Sequence, residues 1–276
     1  MQLQFTKMHG AGNDFVVLDL ISQNYRPRPD DIRRLADRHF GIGCDQVLLV
    51  EAPRNPDVDF RYRIFNANGE EVERCGNGAR CFARFVREKQ LTSKRVISVQ
   101  TNTGVLTLRM RNRSEVEVNM GVPELEPSDI PFSASSRQRC YPLQVDGREY
   151  EIGAVSMGNP HAVLRVKKLE SAPVATLGPQ IEGHKAFPRR VNAGFMQVLS
   201  DRQIRLRVYE RGVGETLACG SGACAAVVYG NLRGWLRDTV TVELPGGKLS
   251  VSWAGEGEPV RLTGPTEVVF EGSIKI

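Results

Sequence analysis

A five-residue motif occurs twice in the chain, as Cys75-Gly76-Asn77-Gly78-Ala79 and as Cys219-Gly220-Ser221-Gly222-Ala223, with 144 positions separating the copies. Solenoid units run to roughly 20–50 residues, so a repeat covering about half of a 276-residue chain implies two copies of one domain. The match extends outward from the motif. Phe65-Asn66-Ala67-Asn68-Gly69-Glu70-Glu71 overlies Tyr209-Glu210-Arg211-Gly212-Val213-Gly214-Glu215 at the same offset. Upstream, Gly12-Asn13-Asp14-Phe15 overlies Gly158-Asn159-Pro160-His161 at an offset of 146, and downstream Ile97-Ser98-Val99 overlies Val240-Thr241-Val242 at 143. Four matched segments in one order exclude coincidence.

Local patterning gives each copy the same plan. Phe60 to Phe65 and Ile204 to Tyr209 alternate as strands do, and each runs into a glycine-containing turn ahead of its cysteine. Ile97–Val99 with Gly104–Leu108, and Val240–Val242 with Gly247–Val251, read as hairpins. A helix is expected after each cysteine. In the first, Phe82, Phe85 and Val86 form a stripe at i, i+3 and i+4, which leaves Arg80, Arg84 and Arg87 to face water. In the second, Ala223 to Tyr229 is almost wholly apolar, as expected of a helix surrounded by sheet. The first domain is expected over residues 1–121 and the second over 122–264. Val122 to Pro131 is the proline-rich connector, and the strand over 265–276 is expected to cross back and complete the first domain.

Composition narrows the function classes. No apolar run approaches the roughly 18 residues of a membrane span, and the alternating start at Met1 to Lys7 is not built like a signal peptide, so a cytoplasmic location is expected. The net charge of +5 raises nucleic-acid binding, but the arginines form no block and have no interleaved aromatic platform; an anionic small molecule accounts for the excess as well. Six cysteines without secretion signals do not imply a disulfide framework, and neither they nor the four histidines sit at metal-ligand spacings.

A Cys-Gly-x-Gly turn standing alone is most often a tight turn around a buried thiol. Duplication in register at two helix starts changes that reading. Unpaired amides and the positive end of a helix favour both a thiolate and a substrate carboxylate, and glycine lets backbone N–H groups approach an anion closely. Cys75 and Cys219 are therefore the expected reacting groups, suited to a reaction with a base on one side of a carbon and an acid on the other. Cys44, Cys81, Cys140 and Cys224 read as packing residues. Asn13, Asn66, Asn159 and Asn192 lie near glycines, where asparagine commonly forms turns, although Asn13 and Asn159 gain weight as repeat equivalents. Gln46 has little standing unaided. Glu210-Arg211 is either a surface ion pair or a clamp on an ammonium and a carboxylate, and His161 either a satisfied half-buried histidine or a functional one.

With these motifs in view, the chain resembles the diaminopimelate epimerase family. Met8-His9-Gly10-Ala11-Gly12-Asn13-Asp14-Phe15, Phe65-Asn66-Ala67-Asn68-Gly69, Cys75 to Cys81, Gly158-Asn159-Pro160-His161, Glu210-Arg211-Gly212 and Cys219 to Ala223 carry the likeness, which spans essentially the whole length. The resemblance implies an α/β fold of two pseudo-symmetric domains, each a barrel-like, mainly antiparallel sheet around a central helix, with the active site in the cleft between them. It implies interconversion of LL- and meso-diaminopimelate, in lysine and cell-wall precursor synthesis, without pyridoxal phosphate or a metal. By the same likeness Cys75 and Cys219 are the acid/base pair, and the amides of Gly76, Asn77, Gly220 and Ser221 hold the carboxylate at the reacting carbon. Asn13, Gln46, Asn66, Asn159, Asn192, Glu210 and Arg211 would bind the rest of the substrate, and His161 and Glu210 would tune the thiols. A homodimer is implied too, although Phe270 stands where relatives often carry a tyrosine linked to dimer formation. On the residues alone, a proline or hydroxyproline racemase, a redox switch and a non-enzymatic anion-binding module stay open as alternatives; Glu210-Arg211 and the asparagines favour a longer substrate with a second charged end.

Overall fold

The computed structural model describes residues 1–72 and 75–276. Among the described residues it is a mixed α/β fold, mostly sheet with four helices, and it separates into two compact units: residues 1–119 with 263–276, and residues 120–262.

The first unit runs β1 (Gln2–Gly10), β2 (Asn13–Asp19), α1 (Pro29–Ala36), β3 (Gln46–Glu51), β4 (Phe60–Asn66), β5 (Glu71–Val72), α2 (Gly76–Glu88), β6 (Val96–Thr101), β7 (Gly104–Met110) and β8 (Glu115–Asn119). β2 and β3 are apolar without alternation, Phe15 to Leu18 and Val47 to Val50, because both of their faces are covered. Val16, Leu18, Val47 and Leu49 join Ile32, Leu35 and Ala36 of α1 in one cluster. On the other side α2 packs against β1, β2, β3, β4, β7 and β8.

The second unit runs β9 (Tyr141–Val145), β10 (Arg148–Ser156), β11 (Pro160–Arg165), α3 (Val174–Glu182), β12 (Asn192–Ser200), β13 (Gln203–Glu210), β14 (Gly214–Thr216), α4 (Gly220–Leu232), β15 (Thr239–Leu244) and β16 (Gly247–Ser252), and ends within β17 (Arg261–Pro265). The last strand, β18 (Glu267–Lys275), belongs to the first unit and pairs antiparallel with β1, placing Gln2 opposite Lys275. Around α3 the core includes Phe132, stacked on Phe187 with ring centroids 4.6 Å apart and set edge-on to Tyr141.

The repeat persists at the level of strand register. β2 pairs parallel with β3 so that Phe15 faces Gln46; β11 pairs parallel with β12 so that His161 faces Asn192, each position moved by 146. Phe65 faces Glu71 in the first unit and Tyr209 faces Glu215 in the second, each moved by 144. Even a surface clamp is copied. Arg63 grips Glu71 through two N–H groups at 2.8 and 2.6 Å, and Arg207 grips Glu215 in the same way at 2.6 and 2.8 Å.

The helix α4 is buried on all sides from Gly222 to Gly230 and packs on β10, β11, β12, β13 and β16. Its approach to β10 depends on one glycine. A Cβ on Gly153 would lie 2.1 Å from Cδ2 and 2.3 Å from Cγ of the Tyr229 ring. Those atoms cannot yield without moving the helix. Gly153→Ala is therefore expected to cost about 3 kcal/mol through overpacking, a fall of roughly 6–12 °C in melting temperature for a chain of this size. A thermal melt superimposable on the parent's would show that α4 does not depend on this contact.

Candidate active site

Both cysteines are helix N-caps in extended conformation, Cys75 at φ −137° and ψ 121°, Cys219 at φ −116° and ψ 108°. The following residues are glycine, Asn77 or Ser221, and glycine again, so the first helical turn exposes backbone N–H groups that lack an acceptor one turn earlier. The amides of Gly76, Asn77, Gly220 and Ser221 lie in these turns, where aligned peptide dipoles also favour negative charge. The glycines at the third helical position bring the helix close to its strands. A Cβ on Gly78 would sit 2.6 Å from the Tyr62 hydroxyl, and one on Gly222 3.0 Å from Val208 and 3.2 Å from the Cys219 sulfur. Cys75 Sγ accepts from the Gly78 amide at 3.5 Å.

In the first unit Cys75 Sγ donates to Asn13 Oδ1 at 3.6 Å, and Asn77 Nδ2 donates to the same oxygen at 3.3 Å. Asn13 is held in that orientation from its other side, where Nδ2 donates to Asp45 Oδ2 at 2.9 Å. Asp45 is anchored in turn by Arg38 at 2.8 Å and by the Asp14 amide at 3.1 Å. Burial pushes the Asp14 carboxyl up, but bonds from Arg38 and Lys7 outweigh it and hold Asp14 well below the usual carboxylate range. Gln46 Nε2 donates to Asn66 Oδ1 at 2.8 Å across β3 and β4.

Arg80 departs from the sequence-based expectation. It does not face water; it is fully buried and donates to Asn77 Oδ1 at 3.0 Å. The apolar stripe on α2 marks one packed face, but strands cover the helix beyond that face as well, and a guanidinium can enter where an acceptor meets it.

In the second unit Glu210, the last residue of β13, accepts from the Cys219 thiol at 3.1 Å through Oε2 and from the Thr216 hydroxyl at 2.5 Å through Oε1. Burial pushes the Cys219 thiol well above its ordinary pKa, and the Glu210 charge and hydrogen bond add to the rise. The Gly222 amide and Ser221 hydroxyl pull the other way without prevailing. At Cys219 burial and an adjacent carboxylate outweigh the helix end.

His161 is buried at the start of β11 and its Nε2–H donates to Asn159 Oδ1 at 3.1 Å. Burial, with the Arg211 charge adding to it, lowers His161 to about 3, so the ring is neutral near pH 7. Asn159 Nδ2 then donates to Ser221 Oγ at 3.3 Å, and Ser221 Oγ lies 3.7 Å from Cys219 Sγ. His161 thus reaches the thiol through Asn159 and Ser221. Asn192 ties two backbone segments together, accepting from the Arg211 amide at 2.9 Å and donating to the Pro160 carbonyl at 3.1 Å. Arg211 is exposed and spends one N–H on the Arg189 carbonyl. The buried Glu182 carboxylate accepts from the Gly212 amide at 2.8 Å and pairs with Arg190, which pins the 210–212 turn.

The residues singled out from sequence therefore gather into two constellations, one in each unit. Asn13 and Asn77 bond around Cys75, with Gly76 next to it, while Gln46 and Asn66 bond to each other in the same unit; Glu210, Ser221, Asn159 and His161 form a chain of contacts at Cys219, with Gly220 next to it and Asn192 holding the Arg211 amide. Among the described residues no group of three or more His, Cys, Asp or Glu side chains forms a metal cage.

Comparison with known proteins shows the family. A family model described as diaminopimelate epimerase matches residues 5–126 and 153–269. The chain belongs to the diaminopimelate epimerase family. It is 63% identical over 278 residues to the diaminopimelate epimerase of Thioalkalivibrio sulfidiphilus, and 61% identical over 276 residues to that of Teredinibacter turnerae, with 100% of both chains covered in each case. Among solved structures the fold is similar to a PhzF-family phenazine biosynthesis protein of Bacillus anthracis, with a TM-score of 0.72, 16% identity and all of both chains covered. It is equally similar to a hydroxyproline epimerase from Agrobacterium vitis, with a TM-score of 0.72 and 15% identity over 99% of this chain and 92% of that one.

Within this diaminopimelate epimerase fold, several residues beside the cysteines carry no sequence motif of their own. Asp45 holds Asn13 and is itself held by Arg38, Lys7 pairs with the neighbouring Asp14, and Thr216 and Glu182 support the turn that holds Glu210. Asp45, adjacent to Gln46, Lys7, adjacent to the motif that starts at Met8, and Thr216, inside the second copy, stood near a signal.

Proposed function

We propose that the chain converts LL-2,6-diaminopimelate to meso-diaminopimelate with two sulfur groups, Cys75 and Cys219, acting on opposite faces of one α-carbon. The observation that carries this reading is the duplication itself: two thiols, each on the N-cap residue of a helix whose first turn offers amides to a carboxylate, and each facing an oriented acceptor. Membership of the diaminopimelate epimerase family supplies the substrate class.

The α-hydrogen of an amino acid is weakly acidic, and a thiolate removes it only if the developing carbanion is stabilised. Amides of Gly76, Asn77, Gly220 and Ser221 act on the carboxylate that receives the charge, and exclusion of water strengthens them. When Cys75 is the thiolate it takes the proton, and the Cys219 thiol delivers its own to the other face. The pair finishes as Cys75 thiol and Cys219 thiolate, so each substrate isomer requires the opposite starting state. Glu210 makes the two states unequal by favouring the proton on Cys219. Arg211 has N–H groups left for the distal carboxylate, and Asn13, Gln46, Asn66, Asn159 and Asn192 complete recognition of the distal amino-acid end. Sulfur supplies both base and acid, so the reaction needs neither pyridoxal phosphate nor a metal.

The reading includes a cytoplasmic homodimer acting on a small molecule, with no nucleic-acid or membrane partner. Val269 and Phe270 support the dimer, being 53% and 47% exposed on β18. No helix among the described residues is long and apolar enough to cross a membrane. The function is tested by incubating purified protein with LL-diaminopimelate, with neither pyridoxal phosphate nor metal added, and separating the stereoisomers. Meso product should accumulate and a chelator should change nothing. Failure to invert diaminopimelate, with turnover of proline or hydroxyproline instead, would overturn the assignment.

A further inference from the structure

The two units copy each other closely around their cysteines, so the places where they differ carry information. β4 and β5 have the same register as β13 and β14: Ile64 faces Val72, and Val208 faces Thr216, each position moved by 144. The Arg63–Glu71 and Arg207–Glu215 clamps confirm that the copy extends to side chains. Against that background two positions change together. Asn66 of the first unit corresponds to Glu210 of the second, and Val72 corresponds to Thr216. An amide and an apolar side chain in one copy are a carboxylate and a hydroxyl in the other.

These two changes form one device. Thr216 donates to Glu210 Oε1, and the opposite oxygen of the same carboxylate receives the Cys219 thiol proton at 3.1 Å. In the first unit Asn66 accepts from Gln46 instead, and Cys75 donates to the neutral amide of Asn13. Among the described residues the charged group bearing on Cys219 is Glu210 of β13; the Ser221 hydroxyl and the Gly222 amide face it from α4. A carboxylate at a strand end has free torsions, and a bond to one oxygen fixes the direction of the other.

We infer that Thr216 is a positioning residue: its hydroxyl holds the Glu210 carboxylate against the Cys219 thiol and so keeps the proton of the catalytic pair on Cys219 between turnovers. This rests on the two-thiol reading for its catalytic meaning, but the contact it describes is measurable without turnover. Loss of the hydroxyl acts in one direction by either route. A released carboxylate swings away from the sulfur, or, losing a donor to its ionised form, takes up a proton itself; both make Cys219 easier to deprotonate.

The test follows the Cβ resonance of isotope-labelled cysteines against pH, with Cys219 assigned by its loss in Cys219→Ala. Thr216→Val should lower the Cys219 midpoint by about one pH unit or more, a tenfold change in the thiolate ratio. Thr216→Ala should do the same, and Thr216→Ser should restore the parent value. Glu210→Gln sets the full size of the effect. In the epimerisation assay the pH profile of kcat/KM should move with Thr216→Val and return with Thr216→Ser. Parent-like midpoints in both the valine and alanine variants, with Glu210→Gln shifted, would overturn the role of Thr216. An unshifted Glu210→Gln would overturn the whole device. A parent protein that shows the midpoint shifts but does not invert diaminopimelate would sink the proposed function and leave the contact standing.

Discussion

Replacing either Cys75 or Cys219 by alanine is expected to abolish epimerisation in both directions while leaving the chain folded. In the proposed mechanism each thiol serves one face of the carbanion, and neither can do the other's work. General acid–base groups each contribute roughly 10²–10⁴-fold, and removal of one stops inversion outright, so the loss should reach at least about a thousandfold. The structural cost is small by comparison. Both residues are N-caps, and cap replacements by alanine cost about 1 kcal/mol, well within what a domain tolerates. Circular dichroism and a melting curve establish that the variants fold; chiral separation of product measures inversion. Retention of even a tenth of the parent rate in either variant would end the two-thiol reading. The variants should also differ from each other in one respect: the surviving thiol can still remove a proton from its own face and return one there, so each should exchange the α-hydrogen of one isomer without inverting it.

In heavy water, product isolated early is expected to carry close to one deuterium at the inverted carbon, while recovered substrate stays almost wholly protiated. In the proposed mechanism the abstracted proton leaves on one sulfur, and the delivered one comes from the other, which has equilibrated with solvent. Cys219 makes this separation physically reasonable, since its proton sits on a buried thiol bonded to Glu210 rather than on a group shared with the departing hydrogen. A single base swinging between faces would return the original hydrogen to some of the product. The measurement starts from LL-diaminopimelate, stops at low conversion, and weighs both pools by mass spectrometry. Rapid labelling of recovered substrate, or product that keeps its hydrogen, would point to one base.

The fold class was legible in sequence because duplication is a long-range signal that needs no knowledge of packing. The offset of 144 that aligns Cys75 with Cys219 also aligns Phe65–Glu71 with Tyr209–Glu215 as strand partners. The unbroken apolar runs of β2 and β3 fit strands covered on both faces. What escaped was set by partners distant in sequence. Arg80 was placed in water because periodicity reports one helical face, whereas its burial depends on strands packed around α2 and on Asn77 as acceptor. A helix start favours a thiolate in at least one of the pair, but which cysteine it would be was not legible, because at Cys219 burial and the Glu210 carboxylate push the thiol upward. Asp45 had no motif, and its relation to Asn13 arises only when the segment after α1 folds back beside β2.

The pairing of β1 with β18 has a consequence for the order in which the polypeptide matures as it is made. The second unit is one uninterrupted stretch, residues 120–262, whereas the first draws on both ends of the chain and has Met1 and Ile276 joined by reciprocal backbone bonds of 2.7 and 2.9 Å. Domains usually mature in the order of synthesis. Here the early residues emerge first but lack the strand that lines the edge of β1, from Gln2 to His9, until the ribosome has made residues 267–275. Throughout that interval β1 presents unpaired backbone groups, the kind of edge that invites mispairing with another nascent chain. The later segment can reach its native state in the meantime. The sheet of the first unit is therefore completed only after the second unit has been made.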